Sequence, residues 1–555
     1  MKRTPPRPDI GHLKKQAKEL LAQARLGEPA ALRRLDQSLP AAQGQGLAAL
    51  AAAGFRLHDT QSCIAREYGF PSWADLQLFV QARRARAQAP GQALHQWLLL
   101  VYAGDVTGGH SGSRPAVAAR MLEDDPRLPG GDPYLACAVG DVHVLRHATE
   151  RDPGWVHRAG GPLQLPPLVA VTHSGLARLP GFRERLRDCA RWLLSAGAAA
   201  GQSIGSRWPP ASLQAPSATE RLSALYGAAG KAHDPELTGL LLAAGADPDD
   251  GESLYHALEA PACARLLLEA GARIAGSNAI YRALDLEDPE PLQLLLAHGG
   301  DANEPPPGPP TAEWGSPLLW ALRRRCPVPH VQALLEAGAR ADACTPDGVP
   351  AFALAQRFGR PDLARLLEQA GATTAPLAAD DAFVAACARG DAEAARAVQA
   401  AHPDVIGRLD AARLRMLPEL AAQGCGEAVR AMVACGWPLE ARGGDIDATA
   451  LNHAVFRGDA GLARWLLERG ADWRTLHGFG DNVCGSLSWA SLNAPVAGGD
   501  WAGCALALRD HGLPPARPDP EHADAVWIGE RRYAFADDVV DVLLGAEATA
   551  VATGV

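Results

Sequence analysis

Short leucine clusters recur along the chain, and each stands just before a glycine. Two or three leucines are followed by two spacer residues and then by Gly-Ala or a close variant. Leucines on one side of a helix form a buried face, and glycine adopts the left-handed conformation that ends a helix at little cost. The pattern predicts a helix end at each copy: RWLLSAGA (191–198), GLLLAAGAD (239–247), RLLLEAGA (265–272), QLLLAHGGD (293–301), QALLEAGA (332–339), RLLEQAGA (365–372) and RWLLERGAD (464–472).

A second pattern precedes each copy by about half a repeat. It predicts a short helix with a face of small residues, as in SPLLWALRRR (316–325), PAFALAQRFGRPD (350–362) and TALNHAVFRGDAG (449–461). Small residues let a neighbouring helix approach closely. Two antiparallel helices cannot bury both of their apolar faces alone, so we expect the units to stack. The composition agrees with an all-α protein, since alanine and leucine dominate and only 5% of the residues are aromatic.

Two stretches join both patterns to a preceding turn, TPDGVPAFALAQRFGRPDLARLLEQAGA (345–372) and ATALNHAVFRGDAGLARWLLERGAD (448–472). With these features the sequence resembles the ankyrin repeat family. The resemblance covers residues 92–515, about ten units, and is clearest over 219–472. It implies an ankyrin-repeat solenoid of helix-turn-helix units that binds proteins. The spacing of the copies varies, and tyrosine replaces the family's signature histidine at Tyr226, Tyr255 and Tyr281, so we expect an irregular array.

Residues 1–86 differ from the repeats, because basic residues outnumber acidic ones there whereas the whole chain has a net charge of −10. IGHLKKQAKELLAQAR predicts an amphipathic helix that buries Leu13, Ala17, Leu20, Leu21 and Ala24. HDTQSCIAREYGFPSWADLQLFVQ predicts two helices around a turn, with Asp59 capping the first and a Ser72–Asp75 capping box opening the second. The segment is similar to the amino-terminal region of some bacterial ankyrin-repeat proteins.

Two interpretations of this amino-terminal segment remain open. It is either a helical cap that covers the first repeat, with Phe70 and Trp73 in its core, or a helix-turn-helix-like module that binds nucleic acid. In the second case the chain would be a regulator whose repeats sense a protein. We favour the cap, because the second helix, SWADLQLFV, has no basic residue to place against a phosphate or a base. Nucleic acid is therefore not the expected partner.

The remaining features predict a monomer in the cytoplasm. Residues 516–544 are expected to form a C-terminal cap, and 545–555 a disordered tail. The chain opens without the apolar core of a signal peptide, and its longest apolar stretches fall short of the roughly 20 residues that span a bilayer. The 11 cysteines lie far apart without a CxxC pair, so we expect them to act as small buried hydrophobes.

The motif search predicts a protein that is not an enzyme and that needs no cofactor or metal. The segment GGHSGSRP (108–115) departs from a nucleophile elbow because Ser113 stands where the closing glycine belongs. GFGDNVCGS (478–486) lacks the preceding strand of a dinucleotide-binding loop. His58 and Asp59 have no second pair of ligands that would complete a metal site, and the capping role of Asp59 explains them more simply.

The partner is therefore expected to be a protein that binds the concave face of the repeats. Aligning the units by their Gly-Ala ends places arginine and aromatic residues on that face, which are the types that dominate interface hot spots. The alternative for each is solvation of the surface or packing between units. The predicted partner-binding residues are Trp314, Arg323, Arg324, Arg357, Phe358, Phe456 and Arg457.

Overall fold

The computed structural model describes residues 9–40, 42–88, 92–309, 311–519 and 525–545. In this part of the chain the protein is all-α, with five strands of three or four residues. It divides into two units, Met1–Arg282 and Ala283–Val555. Within each unit, successive helix-turn-helix pairs pack side by side. The all-α stack that the leucine pattern predicts is confirmed.

Unit 1 opens with helices that do not follow the repeat and continues with four packed helix pairs, α9/α10, α11/α12, α13/α14 and α15/α16. Its helices are α1 (Ile10–Arg25), α2 (Pro29–Ser38), α3 (Leu47–Ala52), α4 (Leu57–Glu67), α5 (Trp73–Gln88), α6 (Ala93–Val101), α7 (Gly104–Thr107), α8 (Pro115–Asp124), α9 (Pro133–Val139), α10 (Val142–Arg151), α11 (Pro167–Thr172), α12 (Pro180–Ser195), α13 (Ala224–Tyr226), α14 (Pro235–Ala243), α15 (Ser253–Ala257), α16 (Pro261–Glu269) and α17 (Ala279–Ala283), which ends at the unit boundary. A π-helical turn, Gly227–Lys231, extends α13, and two 3-10 turns span Pro153–His157 and Gly175–Arg178.

Unit 2 contains six packed pairs, α19/α20, α21/α22, α23/α24, α27/α28, α29/α30 and α31/α32. Its helices are α18 (Glu290–Ala297), α19 (Pro317–Arg323), α20 (Val328–Glu336), α21 (Ala351–Arg357), α22 (Pro361–Gln369), α23 (Ala379–Ala388), α24 (Ala392–Ala401), α25 (Val405–Arg408), α26 (Ala411–Leu414), α27 (Met416–Ala422), α28 (Gly426–Ala434), α29 (Ala450–Phe456), α30 (Ala460–Leu467), α31 (Val483–Asn493), α32 (Trp501–Asp510) and α33 (Asp537–Leu543), with a 3-10 turn at Thr311–Glu313. Neighbouring first helices of the pairs pack on one another, as α29 does on α31.

The leucine clusters form the second helix of each pair, as predicted. One leucine in each cluster is completely buried: Leu193, Leu241, Leu267, Leu295, Leu334, Leu367 and Leu466. The glycine that follows each cluster has a φ between 88° and 97°. Residues with a side chain rarely adopt that conformation, so glycine ends these helices without strain.

The amino-terminal helices pack into a small core of their own. α1 and α2 pack on α4, and α5 packs on α6 and α8. The five apolar residues predicted on α1 are buried, and so are Phe70 and Trp73. Ser72 accepts a hydrogen bond from the Asp75 amide at 3.1 Å, as the predicted capping box requires. Asp59 is not the first cap residue but the third residue of α4, where it accepts from the Arg56 amide at 2.8 Å.

Two short sheets interrupt the helical pattern. In unit 1, β1 (Ser203–Gly205) pairs antiparallel with β2 (Arg221–Ser223). In unit 2, β3 (Ala516–Pro518), β4 (Ala525–Ile528) and β5 (Arg531–Ala534) form an antiparallel sheet before α33, within the stretch predicted as a C-terminal cap. Residues 546–555 of the predicted disordered tail lie outside the described residues.

Candidate functional site

Arg323, one of the predicted partner-binding residues, lies inside an ion-pair cluster of unit 2. It is the last residue of α19, and its guanidinium lies 2.9 Å from Glu419 Oε2 on α27 and 2.7 Å from Asp445 Oδ1. Arg323 and Glu419 are both almost completely buried. The Gly444 amide donates to Glu419 Oε1 at 3.1 Å, which supports the carboxylate from its other side. The charge of Arg323 is thus compensated within the chain.

Three aromatic rings enclose this cluster. The guanidinium carbon of Arg323 lies 5.0 Å from the ring centroid of Trp320 and 5.6 Å from that of Trp314. Arg415 approaches the Trp314 ring to 4.2 Å. Trp314 also packs on Phe358, with 5.7 Å between their ring centroids. These cation–π and ring contacts bury Trp314, which lies in the loop between the 3-10 turn and α19, so little of its surface is exposed.

Arg357 and Phe358 are also buried, so the exposure expected of them is wrong. Arg357 donates to Asp381 Oδ1 at 2.8 Å, and Arg413 donates to the same oxygen at 2.9 Å. Burial raises the pKa of Asp381, but the hydrogen bonds from the two arginines outweigh it and hold the pKa below its usual value. The carboxylate therefore stays ionised and satisfies both arginines inside the chain.

Arg324, Arg457 and Phe456 are half-buried. Arg324 pairs with Asp285 at 2.7 Å and with Asp445 at 3.0 Å. Arg457 donates to the Ala422 carbonyl at 3.1 Å. The structure thus buries Trp314, Arg323, Arg357 and Phe358 and leaves the other three partly exposed. A partner-binding role for the seven residues stays a prediction.

An exposed aromatic face lies next to Phe456, and sequence reasoning missed it. Trp489 on α31 stacks on Phe456, with ring centroids 5.2 Å apart and an interplanar angle of 8°. Trp489 is 52% exposed, and Leu492, three residues further along the same helix, is 50% exposed. Residues three apart lie on one side of a helix. We call Phe456, Trp489 and Leu492 the aromatic face.

The spacing of apolar residues in α31 could have revealed the aromatic face from the sequence. Val483, Cys484, Leu487 and Ala490 form the buried side of α31, at the spacing of an amphipathic helix. Trp489 and Leu492 fall outside that spacing, so the helical period places two large apolar side chains away from the core.

Within residues 1–86, the arginines Arg34 and Arg66 are engaged in contacts inside the chain. Arg34 donates to Glu67 at 2.7 and 2.9 Å. Arg66 donates to the Ser38 carbonyl at 3.2 Å. On α5, the side chains of Leu76, Phe79 and Val80 are completely buried. α5 packs on α6 and α8, as a cap over the first repeat would. Both interpretations of the segment stay predictions.

Metal sites, membrane-spanning helices and reactive thiols were also sought among the described residues. These residues hold no group of three His, Cys, Asp or Glu side chains that could bind a metal ion. Within the same ranges, no helix is both long and apolar enough to cross a bilayer. Nine cysteines are buried, whereas Cys344 is exposed and Cys425 is half-buried. Burial raises the pKa of buried thiols such as Cys326, to about 12, so these thiols stay protonated at neutral pH.

The comparisons with known proteins identify no family for the chain. No family model matches it, and no curated protein matches it. Among solved structures it is similar to the ankyrin repeat domain of human ASB11, with 20% sequence identity over 43% of this chain and 99% of that domain. The TM-score is 0.20, which is too low to transfer any residue position or partner from that domain to this chain.

Proposed function

We propose that the protein is a non-enzymatic scaffold, located in the cytoplasm, that binds a protein partner through the first helices of the unit 2 repeats. The observation that carries the proposal is the aromatic face. A tryptophan that stacks on Phe456 and still exposes half of its surface has apolar area left for a partner to cover. Tryptophan in this situation is the residue type most enriched among interface hot spots.

The position of this face also favours partner binding. Phe456 and Trp489 belong to α29 and α31, the first helices of adjacent pairs. Rigid helices hold the two rings in place, so little conformational entropy is lost when a partner covers them. Earlier in unit 2, at the ends of α19 and α21, Arg323 and Arg357 form ion pairs within the chain. The proposed binding face is therefore smaller than the set of seven partner-binding residues predicted from the sequence.

The proposal predicts that the double substitution Trp489→Ser, Leu492→Ser weakens partner capture by about 30-fold or more, since a hot spot contributes about 2 kcal/mol or more. Tagged full-length protein would be titrated into lysate of the source cells, and the amount of each captured protein measured by mass spectrometry. The control is Leu26→Ser, which removes a leucine of unit 1 that is 79% exposed.

Both variants should melt at the temperature of the wild type, because each replaced side chain is at least half exposed to solvent. Loss of one saturable partner by the double variant, with full retention by the control, supports the proposal. Equal capture by all three proteins would refute it.

A further inference from the structure

A cavity of about 290 Å³ lies in unit 1, far along the chain from the aromatic face. Three segments form its walls: the loop after α7, the 3-10 turn after α11, and the π-helical turn that extends α13. Its volume is near the lower limit of ligand pockets, about 300 Å³, and suits a small metabolite. The segment GGHSGSRP, singled out in the sequence for Ser113, contributes Gly112 and Ser113 to this cavity.

Glycines keep the cavity open where its walls come together. A Cβ atom on Gly175 would lie 2.7 Å from Ser113 Oγ and 2.9 Å from the Val101 carbonyl oxygen. One on Gly230 would lie 2.7 Å from the Cβ atom of His256 and equally close to the Tyr226 ring. Real Cβ atoms do not approach so closely, so a larger residue at either position would displace a wall.

The lining of the cavity is positively charged. Arg178 and Lys231 are the charged residues that line it, and no carboxylate of the described chain does so. Arg178 donates from Nε and Nη2 to the Lys231 carbonyl at 3.2 and 3.0 Å, which fixes its guanidinium at the rim. Lys231 pairs with Asp105, which lies outside the lining. One positive charge therefore remains without a carboxylate partner at the cavity.

His173 adds a buried acceptor to the same wall. It is almost completely buried, and its Nε2 donates to the Ser223 carbonyl at 2.8 Å. Its Nδ1 has no hydrogen-bond partner among the described residues. Burial, and then the positive charge of Lys231, lowers the pKa of His173 to about 4, so the ring is neutral and Nδ1 carries a lone pair at neutral pH. A buried nitrogen left unpaired in this way costs free energy unless a ligand donates to it.

Two hydroxyl groups complete the polar lining. Tyr226 has a raised pKa, caused mainly by burial, so its phenol stays protonated and able to donate. Ser113 lies on the opposite wall, against Gly175.

We propose that this cavity binds a small oxyanion that carries a hydroxyl group, a hydrogen phosphate or a hydroxy acid. Arg178 supplies the uncompensated positive charge that attracts the ligand, and guanidinium groups are well suited to phosphate and carboxylate. Ser113 and Tyr226 donate to its oxygens. The hydroxyl of the ligand supplies the hydrogen that Nδ1 of His173 lacks.

The test is isothermal titration calorimetry of the full-length protein with three probes: inorganic phosphate, malate and succinate. Phosphate or malate is expected to bind, and succinate, which has no hydroxyl, to bind at least tenfold more weakly than malate. Binding of phosphate alone assigns a phosphate ligand, and binding of malate alone a hydroxy acid. Absence of binding by both phosphate and malate would overturn the proposal.

Two variants locate the binding. Arg178→Gln keeps a donor for the Lys231 carbonyl but removes the charge. Gly112→Phe adds a large ring to the cavity lining, at a position where a Cβ atom meets no neighbour within 4 Å. Each is expected to weaken binding at least tenfold. The matched control Arg183→Gln removes a nearby arginine of α12 that does not line the cavity, and it should bind within twofold of the wild type.

Thermal melting of each variant accompanies the titrations. If Gly112→Phe melts at a lower temperature than the wild type, the titration of Arg178→Gln alone tests where the ligand binds. Binding by Arg178→Gln as tight as that of the wild type would overturn the assignment.

Discussion

The variant Glu419→Gln is expected to lower the free energy of unfolding of unit 2 by about 3 kcal/mol. Glutamine keeps the shape of the side chain and an acceptor for the Gly444 amide, so the loss isolates the charge. Arg323 would then be left buried with only Asp445 as an ionic partner. Breaking one side of a buried pair costs about 3–5 kcal/mol, and the remaining carboxylate places the expected loss at the lower end.

Hydrogen exchange of the α19 and α27 segments, together with thermal melting, would measure this loss. The matched control is Glu427→Gln on the neighbouring α28, where a glutamate that is 86% exposed pairs with Arg430. Exposed pairs contribute little, so the control should stay within about 0.5 kcal/mol of the wild type. Equal stability of Glu419→Gln and the wild type would show that the Arg323 cluster is not the compensated interior described here.

The second large effect is expected in unit 1. Leu241→Ala should lower the free energy of unfolding by about 2–5 kcal/mol, because it removes a completely buried side chain and leaves a cavity. The preceding residue provides the control, since Leu240 is only half-buried. Leu240→Ala is expected to cost clearly less. Denaturant melts of the two variants test the helical register directly, and a larger loss for Leu240→Ala than for Leu241→Ala would contradict it.

Much of the helical framework is predictable from the sequence because it rests on local rules. A leucine cluster followed by glycine specifies both the buried side of a helix and its end, within ten residues. The same holds for α1, where five apolar residues at helical spacing are buried as expected. Ser72 and Asp75 also form their capping box from residues three apart.

The interior of unit 2 depends on contacts between residues that are far apart in the sequence. Gln423, one helical turn after Glu419, donates to the carbonyl of Arg323, 100 positions away in the sequence. Periodicity shows which side of α19 carries Arg323 but not which helix lies opposite. The short helices α25 and α26, which the leucine pattern does not predict, also lie between α24 and α27. A glutamate inside the apolar stretch MLPELAA was the one local sign of a buried charge that needs a partner.

The short strands and the cavity escaped prediction for a similar reason. AVWIGERRYAF contains a plausible hairpin, with Gly529 at a φ of 60° between β4 and β5, but it stands outside the repeat. The cavity in unit 1 combines residues from three separate segments. Its residues Ser113, His173 and Lys231 share no motif, and only the fold brings them together.

A protein partner that covers the aromatic face should be captured by site-specific photo-crosslinking. A benzophenone amino acid would replace Leu492 in the full-length protein, expressed in the source cells. The control position is Arg365, which is exposed on the second helix α22. We expect one discrete adduct with another protein from position 492 and none from position 365. No adduct at 492, the same adducts from both positions, or a crosslink from 492 to the protein's own chain would contradict it.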